Sequence, residues 1–210
     1  MTPPVIVNPV RAVLPTGRKF SAEFLRVRLL AYQWIEDYYD SEHLTRAGDW
    51  MLAIAPDAPE HLVIAAPLHD MERSVPGGPV LDKAHTSWDD KTYNTAHCDR
   101  SATVVATWLQ MQGAPVELIA GVQQPIREHE FGGSPEGNLM QAADSISFLE
   151  TNGRLVHGWI TNGDCDVEQG RRKLEWMSDR VLLERARETA RHFADNALKY
   201  VDDHLEEAGK

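Results

Sequence analysis

The stretch "DAPEHLVIAAPLHDMER", residues 57–73, reads as a helix start followed by a buried helix that stops on chemistry. Asp57, with Glu60 three residues later, has the form of a capping box, where an N-cap side chain and a carboxylate satisfy each other's free amides. The apolar run at 64–68 anchors a helix in a core. It ends on His69-Asp70, with Glu72 and Arg73 beyond. A solvated helix end would account for these residues, and so would a metal site. Imidazole nitrogen and carboxylate oxygen suit Fe, Mn, Zn, Mg, Co or Ni. Adjacent residues of a regular helix project about 100° apart, so His69 and Asp70 can face one point only where the last turn relaxes.

Working outward, helical periodicity dominates, and the expected fold class is all-α in one domain. Residues 21–38 open on Ser21, a good N-cap, and Phe24, Val27, Leu30 and Trp34 recur at three- and four-residue steps. A second helix is expected from Ser41 to about Ile54, and others over 98–112 and 115–129. Gly113 stops the first of that pair and Pro115 starts the second. Ser134, Pro135 and Glu136 restart the chain as cap, first helical residue and first-turn acid, and Gly132 and Gly133 allow a tight reversal before them. A long final helix is expected over 172–206. Leu182, Ala186, Ala190, Phe193, Ala197, Val201 and Leu205 form its apolar stripe. Residues 74–96 and 151–171, rich in Gly, Pro, Asp and Asn, read as long loops, with a short β segment conceivable at 154–161.

Composition narrows the function classes. The 210 residues suffice for a proper core, and 42% hydrophobic content is near the globular norm. No apolar run approaches the roughly 20 residues of a membrane span. Residues 1–20 carry several prolines and no apolar signal-peptide core, so they read as an extended N-terminal arm. A net charge of -11 disfavours sequence-independent nucleic-acid binding, which needs Lys and Arg on phosphates. It still permits a small anionic substrate held by a local basic cluster. The two cysteines, Cys98 and Cys165, lie outside any CxxC spacing, which speaks against a disulfide framework and a thiolate zinc site. A cytoplasmic protein with reduced thiols is expected, with Cys98 a small buried filler.

The remaining histidines and acids complete a pattern. His43 lies near the start of the second helix, His97 and His129 on later helices, and Asp144 in "QAADSISF". The order H…HD…H…H…D, with "EHLTRAGDWMLAIA", "HLVIAAPLHDMER", "HCDRSATVVATWLQMQGAP", "IREHEFGG" and "LMQAADSISFLETN", resembles the HD-domain superfamily, named for its adjacent His-Asp pair. The resemblance covers about residues 22–200 and implies a compact helical HD-domain bundle with long loops over 21–210. It further implies that His43, His69, Asp70 and Asp144 bind a first metal, with His97 and His129 adding a second bridged by Asp70. The cofactor is then a divalent metal, two ions in all, such as iron, manganese or another transition metal, with magnesium compatible. His61, His85, His157, His192 and His204 read as ordinary helix or surface residues, although His85 and His157 lie in loops that could face a pocket.

Glu36, Glu72, Asp99 and Glu130 are candidates to orient the imidazoles from behind. Arg46, Arg73 and Arg100 each follow a ligand position by a few residues and could form an anion clamp, with Lys91 and Lys173 as weaker candidates. The resemblance implies first a metal-dependent phosphohydrolase acting on a small phosphorylated or otherwise anionic metabolite through metal-activated water. Asp70 and Glu72 would be catalytic, Glu72 as general base. The alternative is an HD-domain diiron oxygenase that cleaves a C–C or C–P bond of a small polar substrate with dioxygen. Tyr32 and Glu36 before His43, with Trp88 and Tyr93, lean toward that branch. No nucleic-acid or membrane partner is expected, and the sequence leaves homodimer formation open.

Overall fold

Ser21 and Ser134 open their helices as read. The Ser21 side chain accepts the Phe24 N–H at 3.1 Å and the Ser134 side chain the Gly137 N–H at 3.0 Å. The computed structural model describes residues 14–15, 17–82 and 87–208. Among these are nine α-helices and no strand: α1 Ala22–Ile35, α2 Ser41–Ile54, α3 Glu60–Ala65, α4 Lys91–Met111, α5 Val116–Arg127, α6 Pro135–Thr151, α7 Gly153–Thr161, α8 Val167–Asp179 and α9 Glu184–Ala208. Two short 3-10 turns, Ala66–Leu68 and Met71–Ser74, follow α3. The all-α fold class stands. Buried side chains from Phe24 to Val201 join in one core. Most of the expected N-terminal arm, and His85, lie outside the described residues.

Helix α6 is the centre. Residues 140–149 are all buried, as in a helix surrounded by others, and α2, α5, α8 and α9 pack round it. Its buried polar groups are each satisfied. Gln141 donates to Glu130 O at 3.1 Å, Ser145 Oγ accepts from Arg180 Nε at 2.9 Å, and Ser147 Oγ donates to Asp144 O at 2.9 Å.

Several expectations are corrected. Asp57 is not a cap: α3 starts after Pro59, and Glu60 instead accepts the Ser21 N–H at 2.6 Å and Oγ–H at 2.8 Å, tying the starts of α1 and α3 together. The first helix stops at Ile35, before 38. Helix α4 begins at Lys91, inside the expected loop, because Asp90 caps it by accepting the Tyr93 N–H at 2.7 Å. The expected loop at 151–171 is mostly helix, and 154–161 is α7 rather than a β segment. Gly153, which reads as a breaker, admits close packing: a Cβ there would stand 3.5 Å from the Ala197 Cα. The C-terminal helix is two helices, broken over 180–183. Arg180 closes α8 and turns toward α6, Val181 is buried, and the Leu182 N–H donates to Gln141 Oε1 at 3.1 Å.

Candidate metal centre

The α-helix carrying "EHLVIA" tightens into a 3-10 turn at Ala66–Leu68, and His69 and Asp70 follow it. Asp70 already leaves helical geometry at φ -104°, ψ 3°. This is the relaxed end that lets both side chains face one point. His43 arrives from α2, His97 from α4, His129 from the turn after α5, and Asp144 from the middle of α6. All six expected ligands meet. The groups His43/His69/Asp70, His69/His129/Asp144 and Asp70/His97/His129 each bring their ligand atoms within 4.8 Å of one another.

Every imidazole is held by Nδ1 and presents Nε2. The Nδ1 atoms of His69 and His129 each lie 2.7 Å from a backbone carbonyl, of Ala66 and Ile126. His97 Nδ1 lies 2.9 Å from Glu72 Oε1, and His43 Nδ1 2.9 Å from Ser147 Oγ. Such partners fix tautomer and ring orientation in metal sites. Nε2 of His43 and of His69 each stand 3.3 Å from Asp144 Oδ1. Two ligand atoms about 2.1 Å from one ion and at right angles lie about 3 Å apart, so these separations suit a shared ion. Asp70 Oδ1 lies 2.8 Å from His97 Nε2, 3.7 Å from His129 Nε2 and 3.9 Å from His69 Nε2.

The second oxygen of each aspartate is taken by an arginine. Arg73 Nε donates to Asp70 Oδ2 at 3.0 Å, and Arg180 donates to Asp144 Oδ2. Asp70 therefore offers the imidazoles one oxygen, Oδ1, rather than one oxygen for each of two ions. The Nε2 atoms of His69 and His129 are buried without a hydrogen-bond partner. Buried polar atoms are rarely left so, and an all-N/O donor set with two orphaned imidazole nitrogens fits a divalent transition metal.

The electrostatics agree. Burial opposes charge on both aspartates, but Arg73, His97 and His69 hold the Asp70 carboxyl well below the carboxylate range, and Arg180 and His69 do the same for Asp144. Burial lowers His129 to about 4, so its ring is neutral and ready to ligate. Burial also opposes protonation of His69, but Asp144 and Asp70 outweigh it and raise that ring to about 9, so a metal ion would have to displace its proton.

The cluster lies at the wall of a cavity of about 590 Å³, whose lining includes His43, Asp70, Asp144, Arg73, Lys173 and Arg180. Both expected loop regions contribute, through residues 75–81, Trp88, Tyr93 and Asn94, and through Leu155 and Trp159. The other expected residues divide. Arg73 lines the cavity and bonds Tyr93 OH at 2.7 Å. Lys173 lines it too, its Nζ 4.5 Å from the Trp176 ring centre, and burial lowers its pKa to about 8. Arg46 does not reach the cavity: its buried guanidinium is bound to Glu150 by two 2.8 Å contacts and to Asp49 at 2.7 Å. Lys91 is exposed in the first turn of α4 and outside the lining.

Arg100 is also outside the lining. It donates to both the carbonyl and Oε2 of Glu72, and to Val75 O at 3.0 Å and Pro76 O at 2.8 Å, so it pins the cavity rim. Glu72, expected as a base, spends one oxygen on His97 and the other on Arg100, which makes it a holder of His97. Glu130 is buried beside His129, whereas Glu36 is exposed and exposed Asp99 pairs with Arg127 at 3.4 Å. Tyr32 is absent from the cavity lining, and Trp88 and Tyr93 belong to it.

Sequence reasoning missed Arg180, which bonds Asp144, Glu130 and Ser145 at once. No local pattern marks it. It also missed Ser147, which a one-turn offset from Asp144 could have revealed. Comparison with models of known protein families, with curated proteins and with solved structures finds no match.

Proposed function

We propose that the chain is an HD-type metal-dependent hydrolase of a small phosphorylated or otherwise anionic metabolite. The observation that carries this reading is the pair of buried Nε2 atoms of His69 and His129 that make no hydrogen bond, set beside Asp70 and Asp144, which line the cavity. His43, His69 and Asp144 would hold one divalent ion and His97 and His129 a second, with Asp70 among the residues that hold them. A divalent ion supplies Lewis acidity toward an anionic substrate and makes water nucleophilic near neutral pH.

The protein's part is positioning and charge. Arg73 stands beside Asp70 on the cavity wall and would receive a substrate oxygen. Proton acceptance passes from Glu72 to Glu130. Its Oε1 accepts no hydrogen bond among the described residues and lies 3.8 Å from His129 Nε2. Burial opposes ionisation of Glu130, but Arg180 holds it below the ordinary carboxylate range, so it is a carboxylate at neutral pH.

The oxygenase alternative loses part of its support, because Tyr32 and Glu36 stand away from the cavity. The test is metal analysis of protein purified without added metal, read with optical and EPR spectra, beside turnover of phosphomonoesters with and without dioxygen. Two divalent ions and phosphate release that ignores dioxygen are expected. A mixed-valent diiron signal with dioxygen-dependent C–C or C–P cleavage would replace the hydrolase reading.

A further inference from the structure

Three cations line the cavity, and they differ in how far they are committed. Arg180 is spent on Asp144, Glu130 and Ser145. Arg73 is partly engaged, through Nε on Asp70 and Nη1 on Tyr93. Lys173 makes no hydrogen bond and no ion pair among the described residues. Its ammonium instead faces rings, with centres at 4.5 Å for Trp176, 4.9 Å for Phe148 and 5.5 Å for Trp88. Ring faces attract a cation but accept none of its three N–H donors in the way an oxygen does.

The cage is built rather than incidental. Trp88 donates its indole N–H to Gln169 O at 2.7 Å and stacks on Trp159 at 5.5 Å, both rings lining the cavity. Phe148 meets the His43 ring edge-on at 5.9 Å, which fixes the cage against the ligand cluster. The ammonium is partly buried on the cavity wall with no acceptor among the described residues, and the cavity is where acceptors would come from. The volume of about 590 Å³ lies within the roughly 300–1,000 Å³ of pockets that hold whole small molecules, well beyond one reacting phosphoryl group.

We propose that Lys173 and its aromatic cage form a second anion subsite, which receives a non-reacting carboxylate or phosphate of the substrate. The substrate class is then a small molecule with two anionic groups, one at the His/Asp cluster and one at Lys173. The reacting end rests on the hydrolase reading, whereas the subsite itself does not.

The test separates the two. Binding is measured by calorimetry on Mn²⁺-loaded protein, with ω-carboxyalkyl phosphonates of two to six carbons against alkyl phosphonates of equal length. The wild-type protein should prefer the carboxylated ligand of the fitting length by about tenfold or more. The preference should collapse toward one in Lys173→Met and survive in Lys173→Arg. A purely structural lysine would instead lower thermal stability without moving the ratio. Equal binding of the two series by wild-type protein, or a preference unchanged in Lys173→Met, overturns the subsite. Hydrolysis of the matching phosphate esters is assayed separately. Selective binding without any phosphate release would sink the hydrolase reading and leave the subsite standing.

Discussion

Ser147 Oγ stands 2.9 Å from Nδ1 of His43 and gives its own proton to the carbonyl of Asp144, also at 2.9 Å. With that proton committed, the hydroxyl can only accept from the imidazole. His43 Nδ1–H therefore donates to it, and Nε2 faces Asp144 Oδ1, 3.3 Å away. One hydroxyl on α6 thus orients the imidazole of a candidate ligand on α2.

Ser147→Ala should accordingly weaken metal binding while leaving the fold intact. Loss of such an orienting partner typically costs about 10–100-fold in affinity. Competition against a chromogenic chelator measures it, and an unchanged dissociation constant would remove Ser147 from the site.

Asp70→Ala should abolish metal binding and activity together. Its Oδ1 stands within reach of three imidazoles, at 2.8 Å from His97, 3.7 Å from His129 and 3.9 Å from His69. Full metal retention in this variant, by elemental analysis after dialysis, would contradict the assignment.

His129→Ala should remove about half of the metal if two ions are bound, since the proposed second ion rests on His97 and His129, although His129 also groups with His69 and Asp144. A metal-to-protein ratio equal to that of wild type would mean a single ion held by the remaining ligands.

Arg46→Met should lower stability and spare metal content. The guanidinium is nearly fully buried, between Glu150 and Asp49, and its removal takes the cation from both carboxylates, although Glu150 keeps the Trp50 indole N–H at 2.8 Å. Breaking one side of a buried pair costs about 3–5 kcal/mol. Urea unfolding reads the loss, and a drop in metal occupancy without a drop in stability would return Arg46 to the site.

Lys173 gives a pH dependence of defined sign. Burial lowers its pKa from 10.5 to about 8 in the folded chain. Below about pH 8 both states carry the proton and the cost of burying it is felt in full. Between about 8 and 10.5 the unfolded chain alone holds the proton, so this group's contribution to stability improves as pH rises. Lys173→Met should therefore be more stable than wild type at pH 7, by about 1–3 kcal/mol, with the gap narrowing by pH 10. Urea midpoints of the two proteins across that range measure it, and a constant gap would refute the buried-charge account.

The candidate cluster was legible through the order H…HD…H…H…D along the chain. Ser21 and Ser134-Pro135 carry local capping signals that the packing respects. What escaped depends on contacts distant in sequence. The stripe Leu182, Ala186, Ala190 continues a helical period through a real break, because the break is made by Arg180 reaching back to Asp144 and Glu130. Gly153 and Gly158 argue locally against helix, yet α7 forms because Gly153 lets it lie close to Ala197. Arg46 shares a helix with His43 at a ligand-like offset. Only its bonds to Glu150, a residue of α6, turn it from a substrate clamp into a strut.

Arg100 touches neither ligand nor cavity, yet it grips the carbonyls of Val75 and Pro76 at the cavity mouth and the carboxylate of Glu72, which in turn steers His97. Mouth and floor hang from one guanidinium. A peptide plane tilted at Pro76 by an arriving molecule would be felt as torque on the imidazole of His97, through a guanidinium that stands outside the cavity lining.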